Sequence, residues 1–193
     1  MNPVLRQELL ENLLIYSLRF GEFTLTSGGK SDYYIDARQT TLRPRGAFLA
    51  AQLLLEELKS SPVDAIGGPT TAAEPVIGAL MAVAALESVP LVGFQVRKEE
   101  KSHGLQRLIE GPLQPGMRVA VFDDTVTTGG SLKHAIDQVE AYQCTVMKAY
   151  ALVDRQEGAQ ENFARWGYPF QALFTMAELR AARQGCASLP GNP

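Results

Sequence analysis

Apolar residues recur at two different spacings along the chain, and the two spacings alternate. Helical spacing predicts helices at residues 4–18, 46–58, 74–87 and 130–142. Short runs that are apolar on both faces predict strands at residues 63–66, 90–96, 117–122 and 144–153. Aromatic and β-branched residues around a Ser-Gly-Gly break predict a short hairpin or a bent strand pair, rather than a helix, at residues 23–38. The tail after residue 157 predicts a helix, a strand at residues 170–174 and a last helix.

The order of these elements predicts the fold class. Because strand and helix alternate, we expect right-handed β-α-β units that build an α/β fold, an open and mostly parallel sheet with helices on both faces. Residues 97–116 interrupt the pattern, since they are polar, lack a clear period and exceed the usual connection of about 4 to 6 residues. A connection of this length inside a compact domain predicts a functional loop.

Composition and charge narrow the class of protein. A chain of 193 residues suits one α/β domain, and 46% hydrophobic with 20% charged residues excludes a disordered tail, a collagen-like repeat or a long coiled coil. The formal net charge of −3 gives no overall positive field for binding nucleic acid or a membrane. Any anion site must therefore be built locally.

Several features favour a cytoplasmic location. Cys144 and Cys186 match neither a metal-ligand spacing nor a disulfide framework, which suits a reducing compartment. The apolar run at residues 76–86 is shorter than the roughly 20 residues that cross a bilayer. Residues 1–11 show no secretory signal.

The most informative stretch is residues 119–131, an apolar strand that ends in Asp123 and Asp124 and then runs through Thr and Gly into a helix. Ligands of open α/β sheets lie beyond the carboxyl ends of the strands. Thr127 to Ser131 offer hydroxyls and backbone N–H groups at a helix N-terminus, where a phosphate is favoured. The two acids can accept hydrogen bonds from a ribose diol and stabilise a cation that develops on the sugar. The simpler alternative is that the acids cap the turn and the glycines only form it.

This stretch resembles the phosphoribosyl-pyrophosphate (PRPP) signature of the type I phosphoribosyltransferases. The absence of Gly-x-Gly-x-x-Gly after a strand argues against a nicotinamide-dependent dehydrogenase, and the absence of Gly-x-x-x-x-Gly-Lys-Ser argues against a P-loop kinase. The resemblance implies PRPP contacts from Asp123, Asp124, Thr125, Val126, Thr127, Thr128, Gly129, Gly130 and Ser131.

Residues 97–104 place three cations and a histidine at the end of a strand. Alone, such a charge run is typical of a solvated face, but beside a phosphate cradle it suits a leaving pyrophosphate. With residues 109–111 it resembles the mobile catalytic loop of the orotate phosphoribosyltransferases, which reaches into the neighbouring subunit. The resemblance implies a homodimer with shared active sites and contacts to the pyrophosphate from Arg97, Lys98, Lys101 and His103. Lys101 and His103 would assist its departure.

Two further segments resemble the part of this family that holds the base. Residues 23–38 resemble the hood that covers the base, and the Val-Asp-Arg-Gln-Glu sequence around Arg155 matches the family's contact to the orotate carboxylate. A guanidinium can bind a planar carboxylate with two hydrogen bonds, and Thr127 would be the accompanying contact. The alternative is a surface arginine paired with Asp154 or Glu157.

Residues 67–75 resemble the family's pyrophosphate loop, whose cis peptide would correspond to the Thr70–Thr71 bond. The chain departs from some members at Thr26 and Ala72, where those members carry lysine. The remaining cations would then take a larger share of binding the pyrophosphate and the base.

The resemblance implies a single phosphoribosyltransferase domain with a hood, at about residues 1–45 and part of 157–193, over a core at about 46–156. It implies transfer of the phosphoribosyl group from PRPP to orotate, giving orotidine 5′-phosphate and pyrophosphate in pyrimidine (UMP) biosynthesis. Mg²⁺ would be held mainly by donor oxygens and water, since it prefers few protein ligands. The catalytic residues would be Lys101, His103, Asp123 and Asp124.

Two alternatives remain open. One is a phosphoribosyltransferase for another base, against which Arg155 and the hood segment argue. The other is a non-catalytic PRPP-binding regulator, which would usually need a basic DNA-binding surface or an extra domain. The expected partners are small molecules and a second copy of the chain, with no nucleic acid and no membrane.

Overall fold

Eight strands in the described part of the chain form two separate sheets. The structure is a computed structural model that describes residues 1–24, 30–61, 63–98 and 108–185. Its strands are β1 (Leu18–Thr24), β2 (Lys30–Ile35), β3 (Ala65–Pro69), β4 (Val92–Val96), β5 (Ile109–Glu110), β6 (Arg118–Val126), β7 (Thr145–Asp154) and β8 (Phe170–Thr175). Strands β1 and β2 pair as an antiparallel hairpin, and the other six form a sheet in the order β5-β4-β3-β6-β7-β8. Within that sheet β5 is antiparallel to β4 and the remaining pairs are parallel, which confirms the predicted fold class.

The helices cover both faces of the larger sheet. They are α1 (Pro3–Asn12), α2 (Arg38–Thr41), α3 (Pro44–Lys59), α4 (Glu74–Leu86), α5 (Gly130–Ala141), α6 (Ala159–Trp166) and α7 (Met176–Gly185), and a π-helical turn at Leu13–Ser17 continues α1. Proline in the first turn of α1, α3 and α4 suits a helix start, because the missing N–H would have no helical partner there. Across the described ranges, no helix is both long enough and apolar enough to cross a membrane.

Two hydrophobic clusters, one on each side of the sheet, hold the helices in place. Side chains of β6 alternate between them: Phe122 packs in the cluster of α1, α3, α4 and α7, whereas Val121 packs in the cluster of α5 and α6. This is the two-residue period of a strand that is buried on both faces.

Several predicted boundaries are wrong, two of them outside the centre of the sheet. The predicted loop at residues 97–116 contains the strand β5, because Arg97 N–H donates to the Leu108 carbonyl at 2.8 Å and β5 then pairs with the end of β4. A two-residue strand is too short to leave a periodic pattern. At the other end of the chain, the predicted first helix gives way to β1 at Leu18, whose pairing with Ile35 starts the hairpin earlier than expected.

A crevice opens between β3 and β6 at the carboxyl ends of the strands. From β3 the chain proceeds to β4 on one side, and from β6 it proceeds to β7 and β8 on the other, so the strand order reverses between them. The pairing of β3 with β6 ends at Gly67 and Val121. Strand β6 then continues to Val126 along β7, further than the predicted end at residue 122, because β7 supplies backbone partners for its polar residues. The two acids therefore lie inside β6 rather than after it.

Glycine at position 68 allows the two strands to approach each other at the base of this crevice. Gly68 is buried in β3, and a Cβ placed there would overlap the carbonyl oxygen of Phe122 in β6. Gly78 is different, since it is exposed in the middle of α4 and a Cβ there would meet no atom within 4 Å.

Alanine at these two glycines should change stability in opposite directions. We expect Gly68→Ala to lower the free energy of unfolding by about 1–3 kcal/mol or more, since neither backbone can move away without breaking the sheet. Gly78→Ala should raise it by about 0.5–1 kcal/mol, because a helical glycine loses more backbone freedom on folding than alanine. Urea denaturation of both variants measures the difference, and a shift of the same sign in both would contradict the strand contact.

Candidate active site

A cavity of about 270 Å³ lies at the carboxyl end of β3, beside the first turn of α5. It is lined by Pro69, Lys98, Gly130, Ser131 and His134. Three of these residues belong to the predicted PRPP contacts, and Pro69 lies in the predicted pyrophosphate loop. His134 was missed, although it follows Ser131 by three residues and therefore lies on the same side of α5.

The turn from β6 into α5 forms a backbone cradle at one end of this cavity. Gly129 has φ of 87°, and a Cβ there would lie 2.7 Å from the ring of Phe163 in α6, so both conformation and space require glycine. Asn162 of α6 supports the turn by donating to the Thr128 carbonyl at 2.9 Å. The first helical hydrogen bond runs from Lys133 N–H to the Gly129 carbonyl at 2.9 Å, so the amides before it lie outside the helical ladder. The cradle has the form that binds a phosphate.

Two carboxylates are buried beside the cradle. Asp123 and Asp124 are each 7% exposed, and the Asp124 N–H donates to Asp123 Oδ1 at 2.9 Å. Burial, together with the charge of Asp124, raises the pKa of Asp123 to about 7. Burial also raises the pKa of Asp124, against the opposing effect of a hydrogen bond from the Thr125 backbone. Charged carboxylates here are short of compensating partners and suited to accept hydroxyl hydrogen bonds.

The two acids have different charged neighbours. The positive charge of Lys98 opposes the rise in the pKa of Asp123, and that of Arg38 opposes the rise in the pKa of Asp124. Arg38 in turn pairs with Asp36 at 2.9 Å, at the point where the hairpin leads into α2. No site role was predicted for Arg38, although it closes the segment that resembles the hood.

Arg155 lies at the end of β7 next to the β6–α5 turn. Its backbone N–H donates to the Val126 carbonyl at 2.8 Å, which places it beside Thr127, its predicted companion. Its Nε donates to the hydroxyl of Tyr33 at 3.0 Å, and its Nη2 lies 2.8 Å from Glu157 Oε1. The structure thus brings Arg155 to the hairpin, and it also contains the pairing with Glu157 that was the alternative explanation for this arginine.

The other predicted residues are those of the cationic segment and of the pyrophosphate loop. Arg97 pairs with Glu110 at 2.9 Å across β4 and β5, whereas Lys98 lines the cavity. Lys101 and His103, with Thr26, lie outside the described residues. The Thr70–Thr71 peptide bond is cis, as predicted.

Comparison of the sequence with known protein families and related proteins agrees with this geometry. A family model described as a phosphoribosyl transferase domain matches residues 39–166. An orotate phosphoribosyltransferase of Synechocystis sp. is 42% identical over 176 residues, covering 91% of this chain and 88% of that protein. One from Aquifex aeolicus is 43% identical over 157 residues, covering 81% and 86%.

Solved structures show the same likeness. The crystal structure of the Mycobacterium tuberculosis H37Rv orotate phosphoribosyltransferase in complex with PRPP superposes with a TM-score of 0.77 at 32% identity, covering 91% of this chain and 99% of that one. With the family model and the curated relatives, this places the chain in the orotate phosphoribosyltransferase family of the type I phosphoribosyltransferases.

Proposed function

We propose that the protein transfers the phosphoribosyl group of PRPP to orotate, giving orotidine 5′-phosphate and pyrophosphate, a step in pyrimidine (UMP) biosynthesis. One observation carries the proposal: buried carboxylates lie beside a glycine phosphate cradle, with Lys98 on one side and Arg155 directly after the next strand. The names of the curated relatives support orotate as the acceptor.

The donor would lie along the crevice. The 5′-phosphate would bind the backbone and hydroxyls from Thr125 through Ser131, and Asp123 and Asp124 would hold the ribose hydroxyls. The pyrophosphate would meet Arg97, Lys98, Lys101 and His103. To bind the pyrophosphate, Arg97 would release its ion-pair partner Glu110. Both side chains are more than a third exposed, so loss of this ion pair costs at most about 1 kcal/mol.

Mg²⁺ fits this site as a companion of the donor. The described residues contain no group of three or more His, Cys, Asp or Glu side chains arranged to hold a metal, so protein ligands alone would not fix it. Asp123 and Asp124 are nearby acids that favour a cation. Bound through donor oxygens and water, Mg²⁺ would neutralise charge on the pyrophosphate.

The protein contributes chiefly positioning and electrostatic stabilisation. The carboxylates of Asp123 and Asp124 stabilise positive charge on the ribose ring as the bond to pyrophosphate breaks. A ring nitrogen of orotate that is already deprotonated, or nearly so, attacks the anomeric carbon, so no strong protein base is needed. Lys101 and His103 neutralise or protonate the departing pyrophosphate oxygens.

The base would lie between the cradle and the hairpin. Arg155 would bind the orotate carboxylate, and Thr127 would provide the accompanying contact. Glu157 competes for the same guanidinium, with a side chain that is 43% exposed against 17% for Arg155. A planar anion that takes two hydrogen bonds would replace Glu157 in this partly exposed pair.

We also propose a domain layout, an oligomeric state and a location for the protein. The hood comprises about residues 1–45 and part of 157–193, over a core at about 46–156, within one phosphoribosyltransferase domain. In support, β1 and β2 form a sheet of their own. The family's loop, resembled by residues 97–104, supports a homodimer with shared sites, and the cysteine usage supports a cytoplasmic location.

Base specificity tests the proposal directly. With PRPP and Mg²⁺ present, we expect depletion of orotate but not of adenine, hypoxanthine or uracil. Arg155→Ala should raise the KM for orotate about tenfold to hundredfold, since it removes hydrogen bonds to a charged group. Asp124→Asn should lower kcat, whereas the control Asp137→Asn, on the exposed side of α5, should leave both parameters unchanged.

The other outcomes identify the alternatives. Consumption of a different base would indicate a phosphoribosyltransferase of other specificity. Binding of PRPP without consumption of any base would indicate a regulator.

The raised pKa of Asp123 predicts a conflict between stability and activity. Between pH 4 and 7 the folded protein keeps a proton that the unfolded chain has lost, so the free energy of unfolding falls as pH rises through this range. Asp123→Asn removes the buried charge and should raise Tm at pH 8, at about 2–4 °C per kcal/mol, with little change near pH 4. Its kcat/KM for PRPP should nevertheless fall.

Asp64→Asn serves as the control for this prediction. Arg118 lowers the pKa of Asp64 to about 2, so this substitution should not raise Tm at pH 8. Equal Tm increases for Asp123→Asn at both pH values would contradict a raised pKa.

A further inference from the structure

We infer that Arg180 of α7 is a positioning residue for the acceptor base, acting through Tyr33 on Arg155. The inference rests on the proposed function, since it concerns the proposed orotate contact. It assigns a role to the C-terminal helix, which no sequence motif explains.

Arg180 binds the hairpin in two ways. Its Nη1 and Nη2 donate to the two carboxylate oxygens of Asp32 at 2.8 and 2.7 Å. Its Cζ lies 4.9 Å from the ring centroid of Tyr33 and 5.6 Å from that of Phe20. These contacts reach both strands of the hairpin from one side chain.

Tyr33 links Arg180 to Arg155. The Cζ of Arg155 lies 5.1 Å from the same ring centroid, so two guanidinium groups contact one tyrosine. The tyrosine hydroxyl accepts from Arg155 Nε at 3.0 Å and donates to Glu157 Oε1 at 3.3 Å. Each guanidinium has its own carboxylate, Asp32 for Arg180 and Glu157 for Arg155, so the cluster carries no uncompensated like charges.

The burial pattern shows why the position of Tyr33 depends on this contact. Tyr33 is 7% exposed and is the buried residue of β2, whose other side chains are exposed or half-buried. The helix that carries Arg180 is itself fixed, because Leu179 is fully buried and Glu178 pairs with Arg6 at 2.6 Å. Arg180 therefore joins a fixed helix to a hairpin that otherwise has little buried surface, and the orientation of Arg155 follows from Tyr33.

Loss of Arg180 should affect binding of the acceptor base and not binding of the donor. The cradle and the buried acids belong to β6 and α5, which Arg180 does not contact in the described structure. Loss of Arg180 should disturb the alignment of Arg155 and leave the donor site unchanged.

Steady-state kinetics with each substrate varied in turn tests this selectivity. We expect Arg180→Ala to raise the KM for orotate about three- to tenfold, the range expected for loss of a cation–aromatic contact, and to change the KM for PRPP less than about twofold. Arg180→Lys should recover part of the effect, because it keeps the charge but loses the paired hydrogen bonds. Asp32→Asn, which keeps the stacking on Tyr33, should give an intermediate KM for orotate. The matched control, Arg183→Ala, removes the same charge from the same helix and should change neither KM.

The outcomes separate the inference from the proposed function. If the wild-type protein consumes no orotate, the proposed function is wrong. If the wild type is active, an unchanged KM for orotate in Arg180→Ala overturns the inference. Equal rises in both KM values, or a fall in kcat alone, would show a general structural role and would also overturn it. Should Arg180→Ala fail to fold, Arg180→Lys and Asp32→Asn provide the same comparison of the two KM values.

Discussion

Burial of two adjacent carboxylates at the end of β6 is the constraint on which the site depends. Removing carboxylates from water is costly unless hydrogen bonds or opposite charges replace the lost hydration. The protein replaces it only in part, with the backbone N–H groups of Asp124 and Thr125 and with Lys98 and Arg38 nearby. The raised pKa values express the remaining deficit. A sugar that donates hydroxyl hydrogen bonds and develops positive charge would reduce that deficit, which is the physical basis of transition-state stabilisation.

The strand order explains how the chain can build such a site. Side chains of β6 alternate between two hydrophobic clusters up to Phe122. The next two residues, Asp123 and Asp124, have different cations nearby, Lys98 and Arg38. The pairing of β3 with β6 ends at Gly67 and Val121, but the strands still touch at the next residues, Gly68 and Phe122. Gly68 is needed where the strands still touch, and Gly129 is needed where α6 supports the turn into α5.

The sequence predicted the strand, the turn and the helix start that carry the proposed donor site, because that information is local. The apolar strand, the acids, the glycines and the helix start follow one another within 119–131, and strand geometry alone brings them together. Arg38, Tyr33 and Arg180 were not predicted as site residues. Their relevance depends on pairings between residues far apart in the chain, such as Arg180 with Asp32, which no period or motif encodes. The strand β5 was missed for a different reason, since two residues cannot show a pattern.

The two halves of the site are therefore stabilised by different kinds of interaction. The donor half belongs to the buried sheet, where a change of one atom disturbs close packing. The acceptor half consists of partly exposed ion pairs and ring contacts between the hairpin, the end of β7 and α7. Exposed pairs contribute little individually and exchange partners at low cost. In the proposed function, an anionic base would thus replace Glu157 at Arg155 without disturbing the carboxylates of β6.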